Sequence, residues 1–319
     1  MDLVSLADIR AAATAVAPTV LRTPLLPAGW DDHLWLKPES LQPVGSFKLR
    51  GATNAVAALD PVGRQRGVVT HSSGNHGQAL AYAARAAGIG CTVVVPEGAP
   101  AVKVDRMRAL GAEVVLVPPP RRGAEADRIA AATGAALVPP FDDRRIIAGQ
   151  GTLGLEIVED RPDVDVVLVP VGGGGLSSGV ATAVKALRPS AAVIGVEPLL
   201  AAEAQESLAA GEVVVWGEER TYRTCADGLR LPLSPLTFAH LRAHLDDIVT
   251  VTEDEIRAAM ARLARDARLV VEPSGAVALA ARLFHPDTLP AGRTVAVLTG
   301  GNVDPDVLAG VLGAPAALG

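Results

Sequence analysis

Lys48 has the strongest setting for chemistry in this sequence. It lies in Gly45-Ser46-Phe47-Lys48-Leu49-Arg50-Gly51-Ala52, after an irregular stretch from Pro38 to Pro43 and at the head of an Ala-rich segment. A lysine at a helix start feels the positive end of the dipole, which disfavours the ammonium form and lowers its pKa. A neutral amine of this kind can form a Schiff base with a carbonyl. A solvated lysine near a helix cap is the alternative that this segment alone leaves open.

Three further segments follow the same logic. His71-Ser72-Ser73-Gly74-Asn75-His76-Gly77-Gln78 sits between the apolar run Val68–Thr70 and a helical pattern from Gly77. Its hydroxyls, amide and free N–H groups share one tight turn, which suits a small anion such as a carboxylate. Gly172-Gly173-Gly174-Gly175 separates the run Val164–Val169 from a helical pattern at Leu176. Successive glycine N–H groups can converge on one phosphate with a helix dipole behind them. Leu298-Thr299-Gly300-Gly301-Asn302 closes a last apolar run and places a hydroxyl at its end.

The phosphate could belong to a dinucleotide, because Glu197 follows Gly175 by 22 residues, where a ribose-binding acid would stand. The G-x-G-x-x-G spacing fails, however: Gly172-x-Gly174 leads to Ser177 and Gly173-x-Gly175 to Ser178. No G-K-[ST] follows either, which excludes a nucleoside-triphosphate loop. A single phosphate on a compact cofactor fits better.

These segments need elements to position them. Val-rich runs at Val68–Thr70, Cys91–Val95, Glu113–Val117, Val164–Val169, Ala192–Val196 and Thr294–Leu298 predict buried parallel strands. Helical spacing covers Gly77–Ala87, Ala101–Leu110, Ala124–Ala132, Leu176–Leu187, Thr252–Ala267 and Ser274–Phe284, the fifth opened by a Thr252…Glu255 capping box. The alternation predicts an α/β fold of open sheets covered on both faces. Proline clusters at 118–120 and 139–140 interrupt it. They fit residues 67–142 as a small α/β domain inserted into a larger one made of 1–66 and 143–319.

Composition narrows the function. With 49% hydrophobic residues the chain can build a core, and with 3% aromatics it lacks stacking surfaces for bases. A net charge of −6 without a Lys/Arg run argues against nucleic acid. Cys91 and Cys225 are too few for a disulfide framework or a zinc cluster. Neither a signal-peptide pattern nor a run near the ~18 apolar residues of a membrane span is present, so the expected location is the cytoplasm.

Taken in order, S-F-K-x-R-G-A, S-S-G-N-H-G-Q, G-G-G-G-L and G-G-N resemble the serine racemase and threonine/serine dehydratase family of fold type II pyridoxal-phosphate enzymes. The resemblance runs from Thr23-Pro24-Leu25 to Asn302-Val303-Asp304. It implies two open twisted α/β domains of the tryptophan synthase β kind, the small one mobile, with pyridoxal 5'-phosphate in the cleft between them. It also implies that Lys48 bonds the cofactor and moves the Cα proton, and that Gly172, Gly173, Gly174 and Gly175 hold the phosphate. Phe47 would pack on the ring, Asn75 contact its phenolic oxygen, and Thr299, where close relatives usually carry serine, face the pyridine nitrogen. Ser72, Ser73, Asn75 and His76 would hold the substrate carboxylate.

A hydroxyl opposite the ring nitrogen would not hold a proton there, which weakens the electron sink and suits rapid loss of a β-hydroxyl. The implied reaction is dehydration and deamination of a small hydroxy-amino acid such as L-threonine or L-serine to a 2-oxo acid and ammonia. 3-Hydroxyaspartate dehydration remains open. So does serine or aspartate racemisation, with Ser73 as a second proton-transfer group. Glu197, the carbonyl of Ala201, and Glu203 match a family site for Mg²⁺, Mn²⁺ or Ca²⁺. Asp227 and Glu272 also lie in matching segments, without an assigned role. A homodimer is the family's common state, and the end of the chain soon after Asn302 predicts no feedback by isoleucine.

Overall fold

The computed structural model describes residues 2–99 and 101–313. Ten strands occur in it: β1 Leu26–Pro27, β2 Leu34–Pro38, β3 Val68–His71, β4 Cys91–Pro96, β5 Glu113–Val117, β6 Ala136–Leu137, β7 Val166–Pro170, β8 Ala192–Pro198, β9 Asp247–Val251 and β10 Thr294–Leu298. They form a six-stranded sheet, β1-β2-β10-β7-β8-β9, and a four-stranded sheet, β5-β4-β3-β6. Every pairing is parallel except β1 with β2. The α/β architecture expected from the sequence is therefore present.

Burial on both faces explains why the strands read as unbroken apolar runs. On β7, Val166 and Leu168 join a cluster with Ile256, Met260 and Leu279, whereas Val167 and Val169 join Leu153, Ile157, Val180 and Val184 on the other face. Helices Glu253–Arg262 and Pro273–Phe284 cover the first face, and helices Arg144–Asp160 and Gly175–Leu187 cover the second. The smaller sheet has its own cluster around Val68, Leu80, Val93 and Met107. Leu49, Ala52, Ala55 and Val56 belong to that cluster too, because helix Lys48–Ala57 packs between helix Asn75–Ala86, which follows β3, and helix Arg144–Asp160.

Several elements depart from the sequence reading. Strand β2, strand β9 and the 17-residue helix Arg144–Asp160 are not predicted by the apolar pattern. The predicted helix over 252–267 begins with the expected capping box, Thr252 and Glu255 each accepting the other's backbone N–H. It then changes to a π-turn at Leu263–Ala267, closed by Arg268 at φ +58°. Among the described residues, no helix is long and apolar enough to cross a membrane.

A buried ion network anchors the helix that carries Lys48. Arg50 is fully enclosed and donates to Glu39 at 2.7 and 2.8 Å and to Glu156 at 2.6 and 2.8 Å. Lys37 donates to Glu156 at 2.6 Å and to the Thr23 carbonyl at 2.7 Å. Two cations face two anions, and hydrogen bonds satisfy their remaining polar atoms, the condition under which charges tolerate burial.

Candidate active site

Four loops meet, each leaving the carboxyl end of a parallel strand, where open α/β sheets bind ligands. Ser72–Gly74 follows β3, Pro139–Phe141 follows β6, Gly172–Gly174 follows β7, and Thr299–Asn302 follows β10. Lys48, the first residue of its helix, sits among them. Its Nζ donates to the Pro140 carbonyl at 2.8 Å and lies 5.1 Å from the centre of the Phe47 ring. Burial lowers the amine to about 8, against the opposing charge of Glu272.

The Thr299–Asn302 turn clamps the segment that presents this lysine. Phe47 N–H donates to the Thr299 carbonyl at 3.0 Å, and Gly301 N–H to the Gly45 carbonyl at 2.9 Å. Asn302 Nδ2 donates to the Val44 carbonyl and to Asn75 Oδ1, both at 2.8 Å. Asn75 Nδ2 donates to Glu272 Oε1 at 2.7 Å. The Thr299 hydroxyl is buried and donates to the Ser274 carbonyl at 3.2 Å.

The glycine tract is built for close approach. Gly174 has φ +83°, and a Cβ there would lie 2.7 Å from Leu233 Cδ2. A Cβ on Gly173 would run into the Phe141 ring. The N–H groups of Gly172, Gly173 and Gly174 have no acceptor among the described residues. Those of the first turn of helix Gly175–Leu187 lack intrahelical partners by geometry. A cluster of free donors at a helix start is what a phosphate requires.

In the Ser72–His76 loop, Ser72 Oγ accepts Gly74 N–H at 3.2 Å, and Ser73 has no hydrogen bond to any described residue. His76 is buried, its Nε2 donates to the Val138 carbonyl at 3.0 Å, and its Nδ1 has no partner among the described residues. Burial, with Lys48 nearby, pushes it down to about 3, so the ring is neutral.

Glu197, near the end of β8, and Ala201 and Glu203, just beyond it, stand apart from this cluster. Glu197 accepts the N–H groups of Ala204 and Gln205 at 3.0 and 2.8 Å, capping helix Glu203–Ala210. Both its oxygens are engaged there, so it is not placed as a ribose-binding acid. Burial and the charge of Glu203 raise it to about 8. Glu203 is also raised by burial, and its Oε1 has no partner among the described residues. Among the described residues, no three His, Cys, Asp or Glu side chains converge as metal ligands.

The family assignment rests on this geometry together with likeness to known proteins. The profile described as "Pyridoxal-phosphate dependent enzyme" matches residues 15–300. The chain belongs to that family. It is 41% identical to the serine racemase of Oryza sativa subsp. indica, over 94% of this chain and 91% of the relative. It is 40% identical to the β-hydroxyaspartate dehydratase of Paracoccus denitrificans, over 94% and 97%. The crystal structure of a T.th. threonine deaminase superposes with a TM-score of 0.89 at 45% identity, covering 94% of this chain and 99% of that one. Pyridoxal phosphate is therefore the cofactor of this pyridoxal-phosphate enzyme. Its chemistry fits the residues present, an amine of lowered pKa beside unpaired N–H donors.

Sequence reasoning missed Pro140 and Phe141, which contact the lysine and the glycine tract, and gave no role to Glu272 or Arg50. Their partners are distant in sequence, and no local spacing marks them.

Proposed function

We propose that this enzyme removes water from a small β-hydroxy-amino acid, and that hydrolysis of the resulting enamine gives a 2-oxo acid and ammonia. L-Threonine, L-serine and 3-hydroxyaspartate form the substrate class. The observation that carries the reading is the half-buried Lys48 amine, lowered to about 8 and placed where all four loops meet. An amine of that pKa has a usable neutral fraction near physiological pH, far more than an ordinary lysine, and that fraction can take a Cα proton. When bound, pyridoxal phosphate supplies the electron sink that makes this proton acidic. Names of relatives at 40% identity or above, among them a hydroxyaspartate dehydratase and a threonine deaminase, support the substrate class.

In this reading Lys48 holds the cofactor's aldehyde carbon, and the N–H groups of Gly172 to Gly175 hold its phosphate. Phe47 packs on the ring, Asn75 meets the phenolic oxygen, and Thr299 faces the ring nitrogen. Ser72, Ser73 and Asn75, with the N–H groups of the helix they open, hold the substrate carboxylate. His76 suits that role least: its one ring proton is committed to Val138, and burial opposes a second.

The test offers L-serine, L-threonine and L-threo-3-hydroxyaspartate separately to the loaded enzyme and measures 2-oxo acid. Release from at least one is expected, and release from none contradicts the reading. A second reading, racemisation, is favoured by the unpartnered Ser73 hydroxyl. It predicts D-serine from L-serine, and a lower ratio of D-serine to 2-oxo acid in Ser73→Ala; an unchanged ratio contradicts it.

Further assignments follow from the same reading. The two sheets form two domains, 67–142 and the remainder, with helix Lys48–Ala57 of the larger one packed against helix Asn75–Ala86 of the smaller. The unpartnered Glu203 Oε1, with Glu197 and the Ala201 carbonyl, would take Mg²⁺, Mn²⁺ or Ca²⁺. Such a cation raises the melting temperature and a chelator reverses this; no response to any of the three contradicts the site. The unpaired Cys91 and Cys225 fit the reducing cytoplasm. Exposed Leu41 and Val270, lining one surface cavity, offer an apolar face for a homodimer, which sedimentation at a single-chain mass would contradict.

A further inference from the structure

Glu272 is a buried carboxylate that the proposed reaction has not used. It directly precedes helix Pro273–Phe284, yet its side chain does not cap that helix. Instead its N–H donates to the Gly300 carbonyl at 3.0 Å, and its Oε1 accepts Asn75 Nδ2 at 2.7 Å. A Cβ on Gly300 would lie 2.6 Å from Oε1, so the carboxylate is packed against the turn that clamps the lysine segment.

The orientation of Asn75 follows by elimination. The Val44 carbonyl can only accept, so the Asn302 atom 2.8 Å from it must be the amide nitrogen. That nitrogen spends its second N–H on Asn75, 2.8 Å away, which must present oxygen there. Arg106 agrees from the other side: a guanidinium only donates, and it lies 3.3 Å from Asn302 Oδ1. Asn75 therefore turns its nitrogen toward Glu272, which takes one N–H. One N–H is left over.

We infer that Glu272 is a positioning residue: with Asn302 it locks the Asn75 amide from two sides, leaving one N–H for the cofactor's ring oxygen, and its charge acts on the Lys48 nitrogen. The inference rests on the roles proposed above for Lys48 and Asn75. Burial, aided by Asp227, raises Glu272 to about 7, while the Asn75 N–H and Lys103 pull it down. Asp227 pairs with Lys103 at 3.2 Å. Lys48 itself lies near Glu272 and His76, and His76 is neutral. Glu272 is thus an anion that raises Lys48.

Glu272→Gln and Glu272→Ala separate the two effects. Glutamine keeps an oxygen for Asn75 but no charge, whereas alanine keeps neither. The visible band of the cofactor-loaded proteins is titrated with pH, and cofactor dissociation constants are measured in parallel. E272Q is expected to lower the spectral midpoint by roughly half a unit to one unit, since an attractive anion is lost. Its cofactor affinity should fall no more than about threefold, while E272A loses about tenfold or more with the hydrogen bond.

An unmoved midpoint in E272Q overturns the inference. So does equal loss of affinity in both variants, which would mark Glu272 as structural. If E272A does not fold, the midpoint of E272Q decides alone. A wild-type protein with no visible band would instead overturn the underlying reading of Lys48, and the two failures are therefore distinguishable.

Discussion

At the scale of the residue, the working part is an amine whose protonation is set by opposing terms. Burial favours the neutral form of Lys48, and the Glu272 carboxylate favours the charged one. The base is competent only without its proton, so kcat for elimination should rise with pH through about 8 and level off above it. A profile flat from pH 6 to 9 would contradict this assignment of the base. Lys48 was legible because its whole context is contiguous: a break, a lysine, an Ala-rich helix. Glu272 was not legible, because its partner Asn75 is 197 positions away and only folding brings their side chains together.

At the scale of the element, the loops matter more than the strands and helices that end in them. The glycine tract could be read from sequence because its function needs backbone donors and therefore needs glycine. Gly174→Ala would force an L-residue to φ +83° and drive its Cβ against Leu233. The backbone strain alone costs about 1–2 kcal/mol. We expect a lower melting temperature and at least tenfold weaker cofactor binding; an unchanged dissociation constant would mean that the tract holds no phosphate. Strand β2 escaped because Lys37 interrupts an otherwise apolar run, and that lysine is buried only because Glu156 meets it from a distant helix. Helix Arg144–Asp160 escaped because Gly149, Gly151 and Gly154 read as irregular. They are the contacts that let it approach its neighbours, Gly149 lying where a Cβ would come 2.6 Å from Gly51 Cα.

At the scale of the whole molecule, the helix bearing Lys48 is tied to the larger sheet and its covering helix by charge as well as by apolar packing. Arg50, two residues beyond the lysine, joins Glu39 beside β2 to Glu156 on helix Arg144–Asp160. Removing one member strands the others, so Arg50→Ala should cost about 3–5 kcal/mol in denaturant unfolding. A loss below about 1 kcal/mol, the usual worth of a solvated pair, would show that the network is not closed from water. The most direct test of the account is reduction of the cofactor-loaded enzyme with borohydride, followed by peptide mass mapping. The prediction is one pyridoxyl-phosphate adduct, on the peptide containing Lys48. An adduct confined to another lysine, or no adduct at all, would contradict it.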